Sequence, residues 1–268
     1  MKSLVSEGLR GVLPPVAFFL VVIGCWQAAT SLWEIPPYLV PSPDRVLAAA
    51  GEHAAELRTA VPLTGAAAIC GFALSLLVGT ALGLVFSQSK IIQRSIYPYA
   101  IFLQTVPIVA IAPVLIIWFG NGFQGVVSVS FILSLFPIIT NATAGLTQVD
   151  PSLLELFEIN NASATQTLFK LRLPNAIPSL VTGAKISCGL SVIGAIVGEI
   201  SAGFGSQSLG LGMLITMATG KLDTAFAFAA VIGSTLLSVA IFATVSLVGA
   251  TVLARWHMAA PHSSTTRT

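Results

Sequence analysis

Two ionisable side chains stand inside one long apolar stretch of the sequence, where an isolated charge is costly. Lys185 lies about eight residues, roughly 12 Å of helix, into this stretch, and Glu199 lies near its far end. The Lys185 ammonium group can attract an anionic solute in transit, or its stem can reach back to the nearer lipid headgroups. Glu199 can line an outer gate, or it can be hydrated at the membrane surface. The sequence alone leaves both alternatives open for each residue.

Other polar and proline residues interrupt the apolar stretches. Ser187 and Ser191 are four residues apart and share a helix face, where they can line a polar path or bond back to helix carbonyls. Pro107, Pro113 and Pro137 each remove a helix hydrogen bond and predict kinks, although proline is also ordinary in membrane helices. The candidate pathway residues are Gln104, Thr105, Pro107, Asn141, Lys185, Ser187, Ser191 and Glu199.

No residue pattern in the chain indicates catalysis. The Gly-x-x-x-x-Gly-Lys-Ser/Thr loop that binds nucleotide phosphates is absent from the sequence. His53, His257 and His262 lie in a loop and a tail, with no Ser/His/Asp arrangement around them. We therefore expect no catalytic, cofactor-binding or metal-binding residue. A net charge of +2 without a Lys/Arg run also argues against nucleic acid as a partner.

The most informative connection between apolar stretches covers residues 148–176, here called the coupling loop. Asp150 before Pro151 predicts a helix start, because the carboxylate can cap the first turn and proline loses no bond at the first helical position. The predicted helix combines apolar and acidic side chains, namely Leu153, Leu154, Glu155, Phe157 and Glu158.

A turn and a second helix follow in the same loop. Asn161 tolerates the left-handed backbone conformation and can reverse the chain direction. Ser163 and Gln166 fit a capping box that starts another helix, which we expect to end near Pro174. Two short helices at an angle can enter a groove of another protein or rest their apolar face on lipid headgroups. Their spacing alone does not decide between these two interpretations.

The composition requires that lipid cover most of the chain. Hydrophobic residues make up 55% of the sequence and charged residues only 8%, against roughly 25% charged in soluble domains. Apolar segments long enough to cross a bilayer must be helical there. We predict an all-α, polytopic single domain over residues 1–268, with about six spans near 13–33, 61–87, 99–119, 124–146, 177–199 and 226–254.

The distribution of Lys and Arg predicts the orientation. With both termini in the cytoplasm, nine basic residues lie inside and three lie outside, which agrees with the positive-inside rule. The three outer residues are Arg45, Arg58 and Lys221. Residues 34–60 then form an outer Pro-rich segment with a helix lying along the bilayer, and residues 201–225 form an outer Gly-rich segment.

The coupling loop resembles the EAA loop of binding-protein-dependent ABC importer permeases. Glu155, Asn161 and Pro174 stand at the spacing of the Glu, Gly and Pro of that motif. Leu156 and Phe157 replace its two alanines, and Asn161 replaces its glycine, which preserves a left-handed turn. The stretches Pro37–Pro43, Pro107–Phe119, Gly198-Glu199 and Leu209–Gly212 resemble the nitrate, sulfonate and taurine branch of the family.

This resemblance implies the type I importer permease architecture in a bacterial inner membrane. Two permease copies would form the pathway for a small solute, which would be anionic if Lys185 serves it. Two ATPase subunits would bind the coupling loops and hold ATP and Mg, and a periplasmic or lipid-anchored binding protein would deliver cargo. The coupling residues implied are Leu153, Leu154, Glu155, Phe157, Glu158, Asn161, Ser163 and Pro174.

Two other functions remain open at this stage. A secondary transporter driven by an ion gradient would show inverted repeats and buried carboxylates, but no repeat is visible and such carboxylates are scarce. A scaffold subunit without a pathway would also accommodate the two-helix loop. Solutes of the resembling branch include nitrate, bicarbonate, taurine, sulfonates and pyrimidine or other aromatic compounds, and the sequence does not select among them or between a homodimer and a heterodimer.

Overall fold

The computed structural model describes residues 2–203 and 210–257 of the chain. Leu209 and His262, which the sequence analysis named, and residues 204–209 of the Gly-rich segment lie outside these residues. All regular elements of the described part are helical, which confirms the all-α class. The helices are α1 (Lys2–Leu32), α2 (Pro43–Glu52), α3 (Ala54–Gln88), α4 (Lys90–Thr105), α5 (Ile108–Phe119), α6 (Phe123–Thr147), α7 (Pro151–Ile159), α8 (Ala164–Thr167), α9 (Leu173–Ala202), α10 (Leu211–Gly220) and α11 (Thr224–His257).

Five helical segments of the described residues are long and apolar enough to cross a membrane. They are Leu13–Leu32, Ala54–Gln88, Phe123–Thr147, Ala164–Ala202 and Thr224–Ala254. The span predicted at 99–119 is instead divided between α4 and α5, which end and begin on either side of Val106 and Pro107. Proline has no N–H to continue the helix and disfavours the helical conformation of the residue before it. Pro113 and Pro137, in contrast, lie inside continuous helices.

Helix α6 is the centre of the bundle, between α3 and α9. Glycines let the backbones approach closely on both of its sides. A Cβ placed at Gly79 would be 2.7 Å from Ile138, and one placed at Gly83 would be 2.6 Å from Ala142. On the other side, a Cβ at Gly194 would be 2.7 Å from Ser130 Cα. Gly79 and Gly83, which are four residues apart, and Gly194 are therefore used for packing inside one copy of the chain.

Serine hydroxyls join the same three helices through backbone carbonyls. Ser75 Oγ of α3 donates to the carbonyl oxygen of Phe131 in α6 at 2.8 Å. Ser130 Oγ of α6 donates to the carbonyl oxygen of Ser191 in α9 at 2.9 Å. Such hydrogen bonds are stabilising because a buried hydroxyl without a partner is costly. The central helices α3, α6 and α9 thus form one connected unit.

An apolar cluster joins α2, α10 and α11 at the opposite end of the bundle from the coupling loop. Val46 and Ala49 of α2 are buried with Leu211 and Leu214 of α10, and the ring of His53 stacks on Phe226 of α11 at 4.0 Å between centroids. A helix is thus present within residues 34–60, namely α2, but it ends at Glu52, and the rest of this segment belongs to α3, which begins at Ala54.

Candidate functional site

The first helix of the coupling loop begins where the sequence predicts. The Asp150 carboxylate accepts a hydrogen bond from the backbone N–H of Ser152 at 2.9 Å, and Pro151 occupies the first turn of α7. The Ser152 hydroxyl also donates to this carboxylate. These hydrogen bonds from Ser152 hold the pKa of Asp150 below its usual value. The cap therefore carries a negative charge at the positive end of α7.

The turn between the two loop helices also matches its prediction. Asn161 has a φ of 52°, which is the left-handed conformation. The N–H of Ala162 donates to the carbonyl of Phe157, and the N–H of Asn161 donates to the carbonyl of Glu158, both at 2.9 Å. This pair of bonds is the Schellman motif that ends helices.

The second loop helix begins at a complete capping box but does not end at Pro174. The Ser163 hydroxyl accepts from the N–H of Gln166 at 3.2 Å, and the Gln166 side chain accepts from the N–H of Ser163 at 2.9 Å. The helix then continues through a π-helical turn, Leu168–Arg172, directly into α9. The predicted helix end is therefore wrong. A wider π turn before Pro174 tolerates the missing N–H of the proline, so the chain need not leave the helix.

Three apolar side chains of α7 are largely exposed on the single chain. Leu153, Leu156 and Ile159 lie on one side of the helix and are 44%, 52% and 77% exposed. We call these three residues the apolar stripe. The sequence analysis missed Leu156 and Ile159, although their spacing of three residues from Leu153 was a visible signal.

The remaining predicted loop residues have other surroundings. Leu154 and Phe157 are only half-buried, and Glu155 and Glu158 are exposed. Leu154 and Glu158 border a cavity of about 580 Å³ between the loop and the adjacent ends of α3 and α4. Leu153, Leu154 and Phe157 thus do not form the single apolar face that was predicted. Leu153 is exposed, whereas Leu154 and Phe157 are partly covered by the protein.

Two side chains attach the coupling loop to the central helices. Arg172 Nη1 donates to the carbonyl oxygen of Ser87, at the end of α3, over 2.7 Å. Asn175 Nδ2 donates to the carbonyls of Gly145 and Gln148, at the end of α6, over 3.1 and 3.0 Å. The loop is therefore bonded to both helices that flank it in the bundle.

The candidate pathway residues do not form one cluster in the single chain. Gln104, Thr105 and Pro107 lie together at the break between α4 and α5, and all three are exposed. The Thr105 hydroxyl donates to the carbonyl of Phe102 at 2.7 Å. Asn141 is half-buried, and its Nδ2 donates to the carbonyl of Pro137 at 2.8 Å.

The polar residues in the middle of α9 lie on different sides of that helix. Ser187 and Ser191 are fully buried, and Ser191 Oγ donates to the carbonyl of Cys188 at 2.8 Å. Lys185 is half-buried on the side of α11. A Cβ placed at Gly249 of α11 would be 3.6 Å from Lys185 Cε. The lysine stem therefore packs against α11, whereas the serines are enclosed in the bundle.

Glu199 lies in the protein interior rather than at a hydrated surface. Glu199 is only 6% exposed. The interpretation of Glu199 as a group hydrated at the membrane surface is therefore wrong for this conformation. Thr64 Oγ1 donates to Glu199 Oε1 at 2.7 Å, and the N–H of Gly212 donates to Glu199 Oε2 at 2.8 Å. The N–H of Leu211 in turn donates to Thr64 Oγ1 at 2.9 Å. Glu199 therefore joins α9, α3 and the first turn of α10.

These features define an integral membrane protein with an apolar helical bundle, a capped loop attached to its central helices, and polar groups within its spans. The chain belongs to the family of binding-protein-dependent transport system inner membrane components, whose model matches residues 71–257. The matched range contains the coupling loop, the α4–α5 break, Glu199 and Gly212, whereas Thr64 lies before it. The resemblance drawn from Glu155, Asn161 and Pro174 is thus confirmed.

Curated relatives are named as permeases for several small solutes. The chain is 35% identical over 188 residues to the formylaminopyrimidine transport permease protein ThiX of Halalkalibacterium halodurans, covering 70% of this chain and 75% of that protein. It is 31% identical over 247 residues to the riboflavin transport system permease protein RibX of Chloroflexus aurantiacus, covering 90% and 89%. It is 28% identical over 226 residues to the putative aliphatic sulfonates transport permease protein SsuC of Bacillus subtilis, covering 84% and 79%.

A solved structure shares the fold. The inward-facing MetNI methionine ABC transporter contains a chain that aligns with a TM-score of 0.62 at 17% identity, covering 76% of this chain and 98% of that one. This likeness confirms the type I importer permease architecture. The chain is therefore a multi-pass permease subunit of an ABC importer, and neither a secondary transporter nor a scaffold finds support in these comparisons.

Proposed function

We propose that two copies of this chain form the pathway of a bacterial importer and that the α4–α5 break lines it. The observation that carries this proposal is the exposure of Gln104 and Thr105 beside a helix interruption in an apolar segment. A break frees backbone N–H and C=O groups, which lipid cannot satisfy. Such a segment is stable only against water in a pathway or against another protein chain.

The second part of the proposal concerns the energy source. The exposed apolar stripe of α7 binds a groove of a separate ATPase subunit, which holds ATP and Mg. Three apolar side chains spaced three residues apart are the anchors that a helix uses in a partner's groove. With two permease copies, two ATPases are bound, one at each coupling loop.

The third part concerns orientation. The coupling loop lies at the same end as Ser87 and Lys90, and the α2–α10–α11 cluster lies at the other end. The nine-to-three distribution of basic residues in the sequence places the loop in the cytoplasm, with both termini. The cluster then faces outward, where a periplasmic or lipid-anchored binding protein delivers the solute.

The solute is a small molecule chosen mainly by that binding protein. Relatives at 35% and 31% identity carry names for formylaminopyrimidine and riboflavin transport, and a relative at 28% carries the name for aliphatic sulfonates. A suitable panel is therefore formylaminopyrimidine, riboflavin, an aliphatic sulfonate and nitrate. An anionic solute would give Lys185 a role that a neutral heterocycle would not.

Cysteine labelling tests the pathway assignment. Single cysteines at Gln104 and Thr105, with Cys25 and Cys70 replaced by serine and the buried Cys188 by alanine, should react with a membrane-impermeant maleimide when the full complex is assembled in lipid. A cysteine at Leu77, which is 70% exposed on the single chain, is the matched lipid-facing control and should not react. Equal protection of positions 104, 105 and 77 would contradict a water-lined break.

A further inference from the structure

The Glu199 contacts lie at the far end of the longest continuous helix of the structure's described part. Residues Ala164–Ala202 form one apolar segment of 39 residues, roughly 58 Å of helix. It starts in the coupling loop, where the ATPase is proposed to bind, and it reaches the outer end next to α10. This segment therefore connects the proposed ATPase-binding loop directly to Glu199.

The carboxylate is held by donors on two other helices. Thr64 of α3 is fully buried and donates to one oxygen, while the N–H of Gly212 donates to the other. The N–H of Leu211 donates to the Thr64 hydroxyl, so that hydrogen bonds connect Leu211, Thr64, Glu199 and Gly212. Each carboxylate oxygen thus accepts one hydrogen bond, and one of the two donors is a backbone N–H in the first turn of α10.

Close backbone packing supports the same attachment. A Cβ placed at Gly212 would be 2.5 Å from the carbonyl oxygen of Ile196 and 3.0 Å from the Cβ of Glu199. One placed at Gly210 would overlap the Glu199 carboxylate. The first turn of α10 therefore lies directly on α9, and only glycine permits this approach.

We infer that Glu199 and Thr64 form a clamp that makes the outer half-helix α10 move together with α9. Glu199 is then a positioning residue of the importer, and α10 is the outer element that the coupling loop moves through α9. The inference rests on the proposed function for its motion, but the clamp itself is a property of the single chain. Removing the Thr64 hydroxyl leaves the Leu211 N–H and one carboxylate oxygen without their partner, which is costly in a buried site.

Amide hydrogen exchange tests the clamp in the full chain in lipid nanodiscs. Thr64→Val, which keeps the shape and removes the hydroxyl, and Glu199→Gln should each raise exchange at Leu211 and Gly212 by about tenfold. Thr64→Ser keeps the hydroxyl and should restore the parent rate. Ser130→Ala is the matched control, since it removes a buried hydrogen bond to α9 that does not involve α10. Unchanged exchange in both Thr64→Val and Glu199→Gln would overturn the clamp.

The ratio of solute imported to ATP hydrolysed tests the positioning role. For a panel solute that the parent complex imports, Thr64→Val and Glu199→Gln should lower this ratio several-fold, whereas Thr64→Ser and Ser130→Ala should leave it unchanged. Faster exchange with an unchanged ratio would show that α10 is clamped but does not position the pathway, and would overturn that role. A parent complex that imports no panel solute would contradict the proposed function and the motion with it, while the exchange rates still decide the clamp.

Discussion

Arg172 and Ser87 join the coupling loop to the end of α3 by a hydrogen bond of 2.7 Å between a guanidinium nitrogen and a backbone carbonyl. The two residues are 85 positions apart in the chain. The bond ends on a carbonyl at the last turn of α3, where helices have no internal donor left. It therefore fixes the loop against the bundle just where force from an ATPase would enter.

Replacing Arg172 should loosen this attachment. Arg172→Met keeps most of the apolar stem and removes the donor, and we expect it to lower stability by about 1 kcal/mol and to reduce the ATPase activity of the assembled complex. Arg172→Lys retains a donor and should lose less. The thermal unfolding midpoint of the purified chain and ATP hydrolysis by the complex measure the two effects. Parent values for Arg172→Met would exclude a role for this bond.

The apolar stripe should govern ATPase binding. Leu156→Asp or Ile159→Asp should weaken binding of the ATPase more than tenfold, because burying each apolar side chain contributes about 1.5–3 kcal/mol. Ile159→Leu keeps the apolar surface and serves as the control. Affinity can be measured by surface-immobilised permease and soluble ATPase. If both Asp variants bind like the parent, the stripe does not face the ATPase.

Substitutions of Phe157 and Glu155 should separate loss of ATPase binding from loss of the folded loop. Phe157 is half-buried against its own loop, so Phe157→Asp should disturb the loop as well as detach the ATPase. Glu155 is exposed, so Glu155→Lys should detach the ATPase and leave the loop folded. Proteolysis of the loop in the purified permease separates the two cases, since only a disturbed loop becomes sensitive. Equal sensitivity of both variants would contradict this distinction.

The left-handed residue at position 161 gives a backbone test. Asn161→Gly should be tolerated, because glycine adopts a φ near 52° without steric cost. Asn161→Val should destabilise the loop by roughly 1–2 kcal/mol, since a β-branched residue disfavours this conformation. ATPase binding of the two variants is the measurement, with Asn160→Val as a neighbouring control outside the left-handed region. Tolerance of valine at position 161 would show that the turn can rearrange.

The local chemistry of the loop was predictable, whereas its long-range contacts were not. The helix caps and the turn could be predicted from Asp150, Asn161 and Ser163, because each of these residues acts on backbone groups within three residues of itself. Thr64 gave no comparable signal, since a lone threonine in an apolar helix most often bonds its own backbone. Its partner Glu199 is 135 positions away.

At Pro107 and Pro174 the sequence correctly predicted a disturbed helix, but the form of the disturbance differs from the prediction. Pro107 predicted a kink, but the structure separates α4 and α5 there. Pro174 predicted a helix end, but a π-helical turn carries the chain into α9. The difference depends on what surrounds the freed backbone groups. Near Pro174 the buried Leu171 and the Arg172 bond hold the helix in place, and sequence spacing does not reveal either contact.

Lys185 tests whether charge matters in the spans. If it serves an anionic solute, Lys185→Arg should keep transport and Lys185→Met should lower it several-fold with assembly intact. If its stem only packs beside Gly249 and reaches the headgroups, Met should be nearly neutral, because lipid accepts it more readily than an ammonium group. Uptake into proteoliposomes with saturating binding protein is the measurement. Equal rates for Lys185→Met and the parent would exclude the anion role.

The central claim is that this chain is a permease driven by ATP through its coupling loop. The most direct test is uptake of the panel solutes into proteoliposomes that contain the permease and its ATPase, with ATP inside, binding protein outside and ionophores collapsing all ion gradients. We predict uptake that requires both ATP and binding protein and that is abolished by Leu156→Asp combined with Ile159→Asp. Uptake that follows an imposed ion gradient without ATP, or that survives the double substitution unchanged, would contradict the claim.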